Sequence, residues 1–267
     1  MEFDFVVVGA GSAGCALANR LSADPRHKVA LIEAGGKDRS PWIHIPVGYF
    51  KTIKNPALNW MYTTQSDPGL NGRALNWPRG KTLGGSSSIN GLLYVRGQAQ
   101  DYDNWRQMGN VGWGWDDVLP LFKRAESWEE GASELRGGDG PLSVSKSRKS
   151  WKIVDAWVKA AQEAGFPYNA DYNGEQQDGV GYFQLTARNG LRCSSAKAYL
   201  KPIRSRKNLQ VITNVTTGKV LFDGKRAIGI EGQKGGQNIT IKARKEVVLS
   251  AGAIGSPQIM MLSGIGP

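Results

Sequence analysis

The chain opens on an unbroken β-branched and aromatic run, Phe3 to Val8, the pattern of a parallel strand buried on both faces. Small and polar residues follow, and Ala13, Leu17 and Leu21 recur four apart on one helical face, so the spacing predicts a helix over 12–23. Asp24-Pro25 stops it, because the residue before proline is driven out of the helical region, and Val29 to Ile32 reads as a second buried strand. Leu209 to Thr213 and Val247 to Leu249 predict further strands, and the polar stretch Gly218 to Glu246 alternates as short strands around the turns Asp223-Gly224 and Gly235-Gly236. Val154, Trp157, Val158 and Ala161 recur at three and four, predicting a helix from Trp151 to Ala164, closed by Gly165, with that stripe in the core. Pro41 to Trp77 holds four prolines, scattered aromatics and no sustained period, as a long excursion or lid would.

The first three elements make a β-α-β unit, and its first turn is Gly9-Ala-Gly11-Ser-Ala-Gly14. Each glycine has a separate expected role: Gly9 permits the tight turn, Gly11 lets the backbone approach a pyrophosphate, and Gly14 lets helix pack on strand. The helix N-terminus, with Ser12 and Ala13, then receives the anion. Glu33, with Ala34 beside it, ends the second strand 19 residues after Gly14, where a carboxylate accepts hydrogen bonds from ribose hydroxyls. This reads as an adenine dinucleotide site; the motif by itself does not separate FAD from NAD.

Composition narrows the class. Glycine reaches 35 of 267 residues, about 13% against a usual ~7%, in clusters without a period, which excludes collagen and points to backbone-lined ligand sites. With 40% hydrophobic residues and no apolar run near the roughly 20 residues that span a bilayer, a soluble globular chain is expected. The net charge of +11 admits nucleic acid, an anionic membrane surface, an anionic cofactor or an acidic partner. The basic residues are dispersed, with no aromatic-basic platform or zinc spacing, so nucleic acid is not expected. Two cysteines, Cys15 and Cys193, form no disulfide framework or metal cluster, and the N-terminus shows no basic and apolar leader, so a cytoplasmic location is expected.

A second cluster, Arg79-Gly80-Lys-Thr-Leu83-Gly84-Gly85-Ser-Ser-Ser88-Ile89-Asn90-Gly91-Leu92, is basic and small, so many backbone N–H groups there could face a ligand. With Tyr94 and Arg96-Gly97 it resembles the first signature of the glucose-methanol-choline oxidoreductases, FAD enzymes that oxidise alcohols. The run from Gly252 through Ser256-Pro257 to Ser263-Gly264-Ile265-Gly266 is similar to that family's second signature. Asp103-Asn-Trp105, Gly137 to Leu142 and Gly190 to Ser194 look like choline dehydrogenase-like members. The three ordered motifs spread the resemblance over essentially the whole chain.

The resemblance implies an α/β fold: a Rossmann-like FAD-binding domain with a doubly wound, mostly parallel sheet over 1–139 and 203–267, and an inserted, incomplete α+β substrate domain beginning at 140–202. It implies that Gly84 and Gly85 contact phosphate, with Arg79, Gly80, Leu83 and Ser88 in the same segment, and that Asn90, Gly91 and Leu92 lie toward the flavin ring. It also implies that the main chain of Val215 meets the adenine and that Ala251-Gly252 returns to the nucleotide, before a helix starting near Ser256-Pro257. Some members carry a histidine bonded to the flavin where this chain has Ile89, so noncovalent FAD is expected. Family members are about twice as long, and their catalytic histidine, paired with histidine or asparagine, lies in the other half; His27 and His44 are expected to be surface or packing residues. The expected partners are a small alcohol and an acceptor, oxygen or a quinone, with peripheral membrane association open. The competing reading is an inactive nucleotide-binding remnant, or a half that needs a complementary chain.

Overall fold

The computed structural model describes residues 1–266 and divides into two compact units, Met1–Gly91 with the chain from Ser194 onward, and Leu92–Cys193. The first unit is built on a six-stranded sheet. Its elements are β1 (Glu2–Val8), α1 (Ser12–Leu21), β2 (Val29–Ile32), β3 (Leu209–Ile212), β4 (Thr216–Asp223), β5 (Arg226–Lys234), β6 (Gln237–Leu249) and α2 (Gly252–Leu262). Strand order is β3-β2-β1-β6-β5-β4. The first four run parallel, with Val8 opposite both Ile32 and Leu249, and β4, β5 and β6 form an antiparallel meander.

Burial on both faces explains the continuous apolar runs: Val6, Val7 and Leu31 are wholly buried, each contributing ~1.5–3 kcal/mol of transfer free energy. The polar 218–246 stretch, expected as short strands, instead forms long ones. Its two glycine turns fall where predicted, but β6 is thirteen residues long and Val247–Leu249 is its last part rather than a separate strand. Alternation marked the antiparallel half, and pairing with β1 carries the same strand onward into the parallel half.

The buried stripe of α1 is Gly14, Cys15 and Ala18, whereas Ala13 is exposed and Leu17 and Leu21 are half-buried. Close approach to the strand selects small side chains there, so the larger apolar residues point to the flanks. The 41–77 excursion contains two single-turn helices, Pro41–His44 and Tyr49–Thr52, and a short hairpin pairing Tyr62–Thr63 with Asn76–Trp77.

The second unit begins at Leu92, earlier than the expected 140, and ends at Cys193 rather than 202. Helix Trp115–Ala125 runs directly into strand Glu126–Trp128, which pairs with Leu142–Lys146, so the glycine run from Gly137 is an internal turn. A Cβ on Gly137 would lie 2.0 Å from the Lys123 carbonyl oxygen. Residues beyond 193 belong with α1, as the Asn19 amide donating to the Tyr199 carbonyl at 2.8 Å shows. At the centre of the second unit, Glu126 is wholly buried and receives the guanidinium groups of Arg96 and Arg136, and Arg136 also meets Asp171 at 2.6 Å.

The helix expected at 151–164 spans Lys152–Glu163 and ends before Gly165 at φ +95°. Its stripe is not core: Val158 is buried, but Trp157 is 63% exposed and Val154 38%. Periodicity assigns a face to a helix, and burial also requires a partner surface over that face. No helix among the described residues is long and apolar enough to cross a membrane.

Candidate functional site

A cavity of about 780 Å³ lies in the first unit, at the carboxyl ends of the parallel strands. Its floor is the glycine turn after β1. Gly9 adopts φ +96°, and a Cβ there would lie 2.5 Å from the Ser250 carbonyl oxygen, so only glycine fits. A Cβ on Gly14 would lie 1.8 Å from the Gly9 carbonyl oxygen, which is the close helix-strand packing expected of it. A Cβ on Gly11 would meet no atom within 4 Å, so the absent side chain leaves open space beside the backbone.

Two helices present their N-termini to this cavity. Gly11 and Ala251 are the N-caps of α1 and α2, neither supplies a side-chain cap, and neither helix has an acidic residue in its first turn. The first-turn N–H groups and the positive ends of both helix dipoles are therefore available to an anion. The start of α2 at Gly252, four residues before the expected Ser256-Pro257, creates this arrangement. Pro257 lies at the sixth position of α2, where it removes the N–H that would otherwise donate to the carbonyl of Ala253.

The second glycine cluster folds onto the first. Gly84 donates its N–H to the Ala10 carbonyl at 2.8 Å, and a Cβ on Gly85 would lie 2.8 Å from the Gly11 Cα. Gly9, Gly11, Ser12, Ala13, Glu33, Ala34, Arg79, Gly80, Gly85, Val215, Ala251 and Gly252 all line the cavity. Other expected residues sit behind the lining or away from it. Gly14 packs α1 on the sheet, Gly84 braces the turn, the Ser88 hydroxyl donates to the Leu83 carbonyl at 2.7 Å, and Asn90 and Gly91 are exposed. Leu92 is buried in the second unit, at φ +66°, where its carbonyl accepts the Thr186 N–H.

Glu33 is nearly buried, and its carboxylate accepts the Ala10 N–H at 2.9 Å and the Gly35 N–H at 2.8 Å. It thus ties the end of β2 to the glycine turn while still lining the cavity. Burial pushes its carboxyl above the usual range, with the backbone N–H groups of Gly35, Ala10 and Ala34 opposing. A carboxylate whose folded value is raised contributes most stability below its unfolded value and loses it as pH rises through the folded one. The stability of the parent relative to Glu33→Gln is therefore expected to fall as pH rises out of the ordinary glutamate range, read from urea midpoints over a pH series; a difference that grows with pH would contradict this.

Trp60 and Tyr62 also line the cavity, stacked at 5.9 Å with 4° between their planes, and the Lys81 ammonium lies 4.7 Å from the Trp60 ring centre. No motif along the chain marks them. Their spacing of two, which puts both on one side of an extended segment, was the available signal. Neither histidine lines the cavity: His27 packs edge-on to Phe5, and His44 Nε2 lies 2.9 Å from the Asp38 carbonyl oxygen. Cys15 is wholly buried, its thiol pushed up to about 12 by desolvation, so it is inert.

A parallel sheet with a glycine turn, an uncapped helix and an acid at the second strand's end defines a dinucleotide-binding α/β protein. Residues 3–267 match the family described as GMC oxidoreductase, and the chain belongs to that family. It is 47% identical to the mitochondrial choline dehydrogenase of Mus musculus, over 99% of this chain and 46% of that protein. Of solved structures, pyridoxine 4-oxidase from Mesorbium loti is similar at TM-score 0.94 and 35% identity, over 99% of this chain and 52% of its own. An FAD-dependent oxidoreductase from Chaetomium thermophilum is similar at 0.91 and 32%, over 99% and 48%. The chain spans about half the length of the curated relatives it matches.

Proposed function

We propose that the chain is the FAD-binding part of an oxidoreductase that oxidises a CH–OH group of a small alcohol, similar to the choline dehydrogenases. The observation that carries this reading is the pair of uncapped helix N-termini meeting two interlocked glycine segments around one cavity. When bound, FAD supplies a ring that accepts a hydride from the alcohol carbon. The N–H groups of the first turn of α1, beside the open space at Gly11, hold the two phosphates, and those of α2 add positive potential. Glu33 accepts from ribose hydroxyls with the lone pairs its backbone donors leave free, and its charge repels a phosphate on that ribose. The main chain at Val215, fixed by its N–H to the Glu33 carbonyl at 2.9 Å, borders the adenine.

Ile89 is buried and apolar and has no nucleophilic atom, so the flavin is held noncovalently. The Leu92–Cys193 unit is the beginning of the substrate domain. His27 and His44 are both engaged away from the cavity lining, so neither serves as the general base there. Titration with FAD is expected to quench flavin fluorescence saturably, while excess NAD fails to compete. Binding of NAD in preference to FAD would sink the reading. Choline added without oxygen to the FAD-loaded chain is expected to leave the visible flavin band intact, and bleaching would place the base within these residues.

A further inference from the structure

We propose that Ser250 is a positioning residue for the phosphate-holding turn. Its hydroxyl lies 2.9 Å from both the Val8 and the Gly9 carbonyl oxygens and donates its one proton between them. Its own N–H donates to Val8 at 2.8 Å, so the end of β6 grips the end of β1 twice. The turn is held from the other sides by Glu33, which accepts the Ala10 N–H, and by Gly84, which donates to the Ala10 carbonyl. Ser250 is the side chain that holds Gly9 itself.

Geometry restricts what can do this work. The Ser250 carbonyl oxygen occupies the space of a Gly9 side chain, and its Oγ lies 2.7 Å from where a Gly14 Cβ would stand. The three residues are thus fitted to one another: the absent side chains at Gly9 and Gly14 make room for the backbone and hydroxyl of Ser250. Without the hydroxyl, the Gly9 carbonyl loses this donor and its peptide plane is less tightly held, which loosens the aim of the N–H groups at Gly11 and Ser12. Ser250 borders the cavity, but its hydroxyl is engaged by the Val8 and Gly9 carbonyls, so its effect is assigned to the turn that holds the diphosphate rather than to the nucleoside.

The assignment rests on the cavity being a dinucleotide site, and the experiment separates the two. Calorimetric titration of the parent chain and of Ser250→Ala is made with ADP and with adenosine. ADP affinity is expected to fall about fivefold in the variant, the cost of re-ordering the loosened turn when the diphosphate binds, with adenosine affinity unchanged. Equal weakening of both ligands, or of neither, overturns the positioning role while leaving the cavity's function intact. If the parent binds neither ligand, the reading of the cavity falls and the assignment with it. Should Ser250→Ala not fold, Ser250→Cys keeps the size with a weaker donor. A smaller loss confined to ADP then supports the role, and unchanged ADP affinity overturns it.

Discussion

Gly11→Ala is expected to unfold within about 0.5 kcal/mol of the parent while binding FAD roughly 10- to 100-fold more weakly. The added methyl meets nothing within 4 Å in the protein, and Gly11 has ordinary negative φ, so the fold accepts it. The same methyl occupies the space through which the first turn of α1 reaches the diphosphate, and crowding of that kind costs about 1–3 kcal/mol. Gly14→Ala is the opposite case. Its Cβ would lie 1.8 Å from a backbone oxygen that cannot swing away, so about 3 kcal/mol of stability and nucleotide binding are lost together. Thermal denaturation beside flavin titration separates them; a Gly11→Ala protein that binds like the parent would remove the diphosphate from this turn.

Glu126→Ala is expected to destabilise the second unit by about 3–5 kcal/mol, because it leaves Arg96 and Arg136 facing one another in a buried site. Glu126 also accepts the Gly137 N–H at 3.0 Å, and Arg136 carries the network on to Asp171 and Gln184. Removing the carboxylate therefore frees the turn at 137 and the loop at 171 at once. By contrast, Lys159→Ala breaks an exposed pair with Glu163 at 3.8 Å and is expected to change stability by less than about 0.5 kcal/mol. Urea unfolding of the two variants provides the comparison. A Glu126→Ala loss as small as that of Lys159→Ala would show that the cluster is solvated.

Much of the candidate site was readable along the chain because its parts lie within one β-α-β unit. The β1 turn, the helix after it and the acid at the end of β2 follow one another in the chain, and at Gly9 the positive φ of its own backbone calls for glycine. The same holds for the turns at 223–224 and 235–236, where the chain must reverse and glycine permits it. What spacing could not supply was company. The stripe on helix Lys152–Glu163 has the right period yet stands largely exposed, and the buried face of α1 belongs to small residues that hydropathy undervalues.

The limits of the two units were hidden for a related reason: a glycine run reads alike whether it separates domains or turns a chain within one, as at Gly137. Neighbour-to-neighbour chemistry is enough to specify the glycine turn and the uncapped helix that follows it. Folding in three dimensions is needed to lay Gly85 against Gly11, to bring Trp60, Tyr62 and the N-terminus of α2 to the cavity, and to set Ser250 beside Gly9. These residues lie tens to hundreds of positions apart. The meeting of Ser250 and α2 with the glycine turn depends on β6 pairing with β1, which is decided by burial and hydrogen bonding over the whole sheet and by no short stretch of it.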